Sequence, residues 1–111
     1  MSQNFEDTII ALSTGSLRAA TALIRISGNS ASSTANILGF KLPKQRIASV
    51  AVLKDGVRKL DEAIVLFFKG PRSYTGEDVV ELHVHGGRTV IEAVINVLQR
   101  QDGFRVAEPG E

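Results

Sequence analysis

The chain has 111 residues, 43% of them hydrophobic, and 13 Lys and Arg against 12 Asp and Glu. That suits one globular unit over 1–111 that buries about two thirds of its surface, with no room for a second core. No apolar run approaches the roughly 20 residues of a membrane span, Glu6 and Asp7 stand where a secretory leader carries positive charge, and cysteine is absent, so a cytoplasmic protein without disulfides, thiol nucleophiles or thiolate metal sites is expected.

Residues 7–13 and 20–27 are apolar β-type runs separated by a short Gly/Ser turn, and they read as strands. In the second run Arg25 falls on the face opposite Ala22, Ile24 and Ile26. An arginine there calls for an anion, supplied by a ligand or by a neighbouring carboxylate such as Glu81. A helix is expected between Gly28 and Gly39, capped by Asn29 or Ser30, with Ala31, Ala35 and Leu38 in one stripe and Gly39 at the stop position.

Residues 47–54 and 60–69 flank Asp55-Gly56, a strong hairpin signal. Ile64-Val65-Leu66-Phe67-Phe68 is apolar on both faces, as a central strand would be, and Pro71 ends it. A loop from Tyr74 to Asp78, a strand at Val79–Val84, a helix near Thr89–Arg100 and an extended piece around Phe104–Ala107 complete the order. The expected class is α+β, a mixed β-sheet with two main helices packed on it.

Charge is unevenly spread, because residues 41–72 hold eight Lys and Arg against three Asp and Glu, whereas residues 73–111 hold three against seven. The two segments are either solvated faces or complementary surfaces that favour antiparallel self-association. The basic residues are not interleaved with aromatics and the isoelectric point is 8.1, which argues against a dedicated nucleic-acid grip.

The chemistry concentrates in Ser73-Tyr74-Thr75-Gly76-Glu77-Asp78-Val79-Val80-Glu81-Leu82-His83-Val84-His85-Gly86-Gly87. Period-2 alternation sends Val80, Leu82 and Val84 to one face and Val79, Glu81 and His83 to the other. A carboxylate in such a strand needs a partner, and a flat fork of two N–H donors fits, whether on a guanidinium or on the 2-amino/N3 edge of a pterin. A strand-edge glutamate in water or a structural ion pair is the alternative.

His83 and His85 have a spacing that can hold zinc, but the chain has no other His and no Cys to complete the sphere, so His85 is assigned instead to capping the turn or lining a pocket. Glu77 and Asp78 read as a polar turn rather than an acid/base pair. Gly86-Gly87 either receives a phosphate or carboxylate at the helix start or lets helix and sheet pack closely. No serine has a recognisable histidine and acid beside it, so no catalytic residue is assigned. Nor is there a G-x-x-x-x-G-K-[ST] phosphate loop in these residues.

The string SYTGEDVVELHVHGG, with Arg25-Ile26-Ser27-Gly28 upstream and Glu108-Pro109-Gly110-Glu111 at the end, resembles the amino-terminal domain of the MnmE (TrmE) family of tRNA-modification GTPases. The likeness runs from Asp7-Thr8-Ile9 onward and departs at Thr14-Gly15-Ser16-Leu17-Arg18-Ala19-Ala20, where the family has a Pro- and Gly-rich turn. Because the family motif runs on past Pro-Gly-Glu, the chain is expected to be one domain of a longer protein whose helical and GTPase domains lie outside it.

The resemblance implies a domain that pairs with its own copy and binds 5-formyl-tetrahydrofolate. Arg25 and Glu81 match the family's folate contacts, and Tyr74, His85, Gly86 and Gly87 are secondary candidates for the same pocket; a further contacting lysine of the family lies beyond position 111. It also implies a parent protein that works with an FAD-dependent partner on the wobble uridine of certain tRNAs, in a carboxymethylaminomethyl-type modification. The GTP, potassium and magnesium requirements belong to the GTPase domain. Aminomethyltransferase-type proteins are a looser likeness, through their folate-binding region. The competing reading is a dimerisation scaffold in which Arg25 and Glu81 pair internally and no ligand binds. A free-standing enzyme lacks a nucleophile and a cofactor motif.

Overall fold

Short alternating runs with β-branched residues at the inward positions build one six-stranded sheet in the computed structural model, which describes residues 7–13, 21–71, 76–85 and 87–108. Tyr74, Gly86, the turn at Thr14–Ala20 and Pro109-Gly110-Glu111 lie outside the described residues. The strands are β1 (Thr8–Ser13), β2 (Ala22–Ser27), β3 (Ser49–Asp55), β4 (Arg58–Phe68), β5 (Val79–Val84) and β6 (Phe104–Val106). Their order across the sheet is β3-β4-β5-β2-β1-β6. Four of the pairings are antiparallel and β1 with β6 is parallel, so the sheet is mixed and the fold is α+β, as the sequence indicates. β4 is an interior strand, as its apolar faces require, although β5 and β2 hold the middle.

One face of the sheet carries the core. Ile10, Ile24, Ile26, Val65, Leu82 and Val80 are all fully buried there and pack with Val94, Val97 and Leu98 of α2 (Gly87–Gln99) and with Ala31 and Leu38. Val94, Val97 and Leu98 fall at i, i+3 and i+4, one stripe of a helix. Burial of each such aliphatic side chain contributes about 1.5–3 kcal/mol, so this face is what fixes the register.

The helix expected between Gly28 and Gly39 is much shorter than its apolar stripe suggests. Residues Ala31–Ser33 form a 3-10 turn and only Thr34–Ile37 form an α-turn, α1. Ser30, Ser32, Ser33, Thr34 and Asn36 compete with the backbone for its hydrogen bonds and lower helix propensity, which accounts for the contraction. Ser30 makes no side-chain cap; its N–H instead donates to Thr8 Oγ1 at 3.1 Å. The stop signal holds: Gly39 has φ +73° and the Phe40 N–H donates to the Ala35 carbonyl at 2.8 Å, a Schellman closure.

The hairpin forms with Asp55 opposite Arg58, so Gly56-Val57 is its two-residue loop and Gly56 takes φ +63°. An irregularity between Leu53 and Lys54 frees the Lys54 N–H to donate to the Leu38 carbonyl at 2.7 Å, which ties the end of α1 to the edge strand. The charge asymmetry does not organise this region. Arg100 of the acidic segment pairs with Asp55 of the basic one at 3.4 Å, the reverse of the overall bias. No helix among the described residues is long and apolar enough to cross a membrane.

Candidate functional site: the Arg25, Glu81 and His83 cluster

Arg25 and Glu81 meet because of register. β2 and β5 run antiparallel with Arg25 directly opposite Glu81, both on the face away from the helices, while Ile24 and Leu82 turn into the core. Arg25 Nη2 donates to Glu81 Oε2 at 2.9 Å and Nε donates to the same oxygen at 3.2 Å. The two exposures differ: the Glu81 side chain retains 7% of its accessible surface and that of Arg25 36%. The carboxylate is therefore the desolvated partner, and the guanidinium keeps a path to water.

The pairing is one-sided. Arg25 Nε and Nη2 converge on Oε2, and among the described residues Oε1 is approached by the His83 imidazole, with Nε2 at 3.5 Å. That nitrogen is buried and makes no hydrogen bond. His83 is the residue of this cluster that motif reasoning passed over, although Glu81-x-His83 on one strand already places both side chains on one face. Leu23 and Ile64 flank the imidazole from the neighbouring strands, and Leu66 lies opposite Glu81.

The other candidates do other things. Asp78 Oδ1 accepts the Gly70 N–H at 2.9 Å, its carbonyl accepts the Gly28 N–H at 3.0 Å, and Ser27 Oγ donates to Glu77 Oε1 at 3.5 Å. Glu77 and Asp78 thus fasten the turn to the end of β2. His85 does not share a strand face with His83, because β5 ends at Val84. Its N–H donates to Asp61 Oδ2 at 2.7 Å, and its Nδ1 lies 2.9 Å from the Glu62 carbonyl, a contact that requires the proton on Nδ1. It lines a hollow of about 420 Å³ with Val50, Asp61, Glu62, Ala63 and Ile64, which does not include Arg25 or Glu81. Among the described residues no three His, Asp or Glu side chains assemble as a metal site. Gly87 opens α2 with φ +79°, and a Cβ built there would meet nothing within 4 Å.

Residues 8–111 match the family model described as "GTP-binding protein TrmE N-terminus". Over 105 residues the chain is 51% identical to a "tRNA modification GTPase MnmE" from Caulobacter vibrioides, covering 95% of this chain and 23% of that protein. A protein of the same name from Rhodopseudomonas palustris is 47% identical over 107 residues, covering 96% and 24%, and one from Shewanella sediminis is 44% identical over 106 residues, covering 95% and 23%. The chain thus spans about a quarter of the length of these relatives.

Proposed function

The chain belongs to the TrmE amino-terminal family, and we propose that it is the folate-binding and dimerisation module of a tRNA modification GTPase, with 5-formyl-tetrahydrofolate held between Arg25 and Glu81. The observation that carries the reading is the half-used carboxylate of Glu81, desolvated, anchored through Oε2 and with no hydrogen bond on Oε1 among the described residues. Adjacent N–H donors on a pterin edge suit such an acceptor, and Arg25 is placed to take a carbonyl or carboxylate of the same ligand. In the parent protein this module would supply position and a one-carbon carrier for chemistry on the wobble uridine, together with an FAD-dependent partner protein. GTP, potassium and magnesium would act elsewhere in that protein.

The test is a calorimetric titration with 5-formyl-tetrahydrofolate. Saturable binding at one site per chain is expected, and no heat at high micromolar protein would remove the folate assignment. Dimerisation is supported by exposed apolar residues on the same sheet face, since Val50 is 70% and Ile64 39% exposed and they sit opposite each other on β3 and β4. Light scattering should report a dimer; a stable interface would bury more than about 1,000 Å². A monomer throughout the high micromolar range counts against it.

One observation favours a second reading, the scaffold without ligand: Arg25 and Glu81 already satisfy each other in part.

A further inference from the structure

We infer that Arg46 binds the glutamate tail of the folate, as an anchor separate from the Arg25 and Glu81 pair. The inference rests on the folate-site reading above and extends that site along the sheet. Residues Lys44 to Ile47 form a tight turn, closed by the Ile47 N–H donating to the Lys44 carbonyl at 3.2 Å, and Arg46 takes its second central position with φ +65°. Glycine or asparagine is the usual occupant of such a position, because most side chains are strained at that φ. An arginine kept there points to a use for its side chain.

Two tertiary hydrogen bonds fix the turn against the end of β4. The Arg46 N–H donates to the Phe67 carbonyl at 2.8 Å, and Gln45 Oε1 accepts the Lys69 N–H at 3.2 Å. The guanidinium carbon then lies 5.5 Å from the centre of the Phe68 ring, a stacking that orients the group through its flat face rather than its edge. Because Val65 and Phe67 are buried in the core, Phe68 alternates to the face that carries Glu81. Leu66 stands opposite Glu81 and Phe68 opposite Val79, so Phe68 is the diagonal neighbour of Glu81, about 7–8 Å from it.

This arrangement matches a ligand with unlike ends. With the pterin at Glu81, the benzoyl group has Leu66 and Phe68 to run across, and the tail carboxylates arrive at a guanidinium, the donor that takes them best. Lys44 in the turn and Lys69 after β4 add positive charge there. The neighbouring carboxylates, Glu77 and Asp78, are engaged with Ser27 Oγ and the Gly70 N–H.

The experiment is calorimetry of the full chain with 5-formyl-tetrahydrofolate and with its dimethyl ester, whose tail is uncharged, for wild type, Arg46→Gly and Arg46→Lys. Glycine and asparagine both accept the turn's positive φ, so Arg46→Gly should melt close to wild type, and Arg46→Asn takes its place if it does not fold. Wild type is expected to bind the acid roughly three- to tenfold more tightly than the ester, a preference that shrinks with added salt. Arg46→Gly should bind both alike, and Arg46→Lys should keep part of the preference. An undiminished preference in Arg46→Gly, equal weakening of both compounds, or no preference in wild type overturns the role of Arg46 while leaving the folate site standing. Absence of binding of either compound by wild type overturns the folate reading and the tail anchor with it.

Discussion

Arg25→Ala is expected to melt well below Glu81→Ala, although each removes one end of the same ion pair. The reason is the unequal burial of the two ends. Loss of Arg25 strands a carboxylate that is only 7% exposed and has no closer polar neighbour than the His83 imidazole among the described residues, so a cost of about 3–5 kcal/mol is expected. Loss of Glu81 leaves a guanidinium that is 36% exposed and able to solvate its own charge, so the cost should be nearer about 1–2 kcal/mol. At about 4–8 °C per kcal/mol the two melting temperatures separate clearly by circular dichroism. The ligand then divides the readings. In a folate site both variants lose the ligand-induced rise in melting temperature, and Glu81→Ala loses about 2–4 kcal/mol of affinity, roughly 30- to 1,000-fold. In a scaffold the stability difference persists and wild type shows no ligand-induced rise. Equal melting of the two variants would contradict the burial argument, and an undiminished ligand shift in Glu81→Ala would remove that residue from the site.

The strands were legible because their alternation is strong: Ile24 and Ile26 against Arg25, and Leu82 against Glu81 and His83, assign faces without any knowledge of neighbours. The hairpin at Gly56 and the helix expected near Thr89–Arg100, observed over Gly87–Gln99, were legible from equally local signals. What a sequence does not contain is register. That Arg25 would stand opposite Glu81 was one of two open partners, and only the β2–β5 pairing selects it for the unliganded chain. That His85 hydrogen-bonds and lines a hollow agrees with its place before the glycine pair, but its partners, Asp61 and Glu62 of β4, follow from the end of β5 at Val84, which its spacing does not show. After Gly28 the apolar stripe favours a longer helix than forms, because the serine-rich sequence competes for backbone hydrogen bonds and the tie from the Ser30 N–H to Thr8 favours the tighter turn.

Gly28→Ala is expected to be among the most destabilising single substitutions in the chain, although it adds one methyl group at the end of a strand. Gly28 has φ +145°, a conformation that L side chains rarely adopt, and a Cβ built there would lie 2.8 Å from both Thr8 Cα and Thr8 Oγ1 and 3.0 Å from the Asp7 carbonyl oxygen. Two of those neighbours are backbone and cannot swing aside. Strain at such a φ costs about 1–3 kcal/mol and the overpacking about 1–3 kcal/mol more, so a total of about 2–6 kcal/mol is expected. The displaced atoms belong to a small lattice, because the Gly28 N–H donates to the Asp78 carbonyl at 3.0 Å, its carbonyl accepts the Ala31 N–H at 3.1 Å, and Thr8 Oγ1 accepts the Ser30 N–H. Movement of Thr8 would therefore loosen the 3-10 turn and the Asp78 anchor together. Gly56→Ala is the control, with φ +63° but nothing within 4 Å of the added Cβ, and should cost only about 1–2 kcal/mol. If Gly28→Ala melts no lower than Gly56→Ala, the close approach to Thr8 is not what requires glycine there. The expected order instead makes the glycine of the Arg25-Ile26-Ser27-Gly28 motif a packing requirement, three residues from an arginine proposed to meet the ligand.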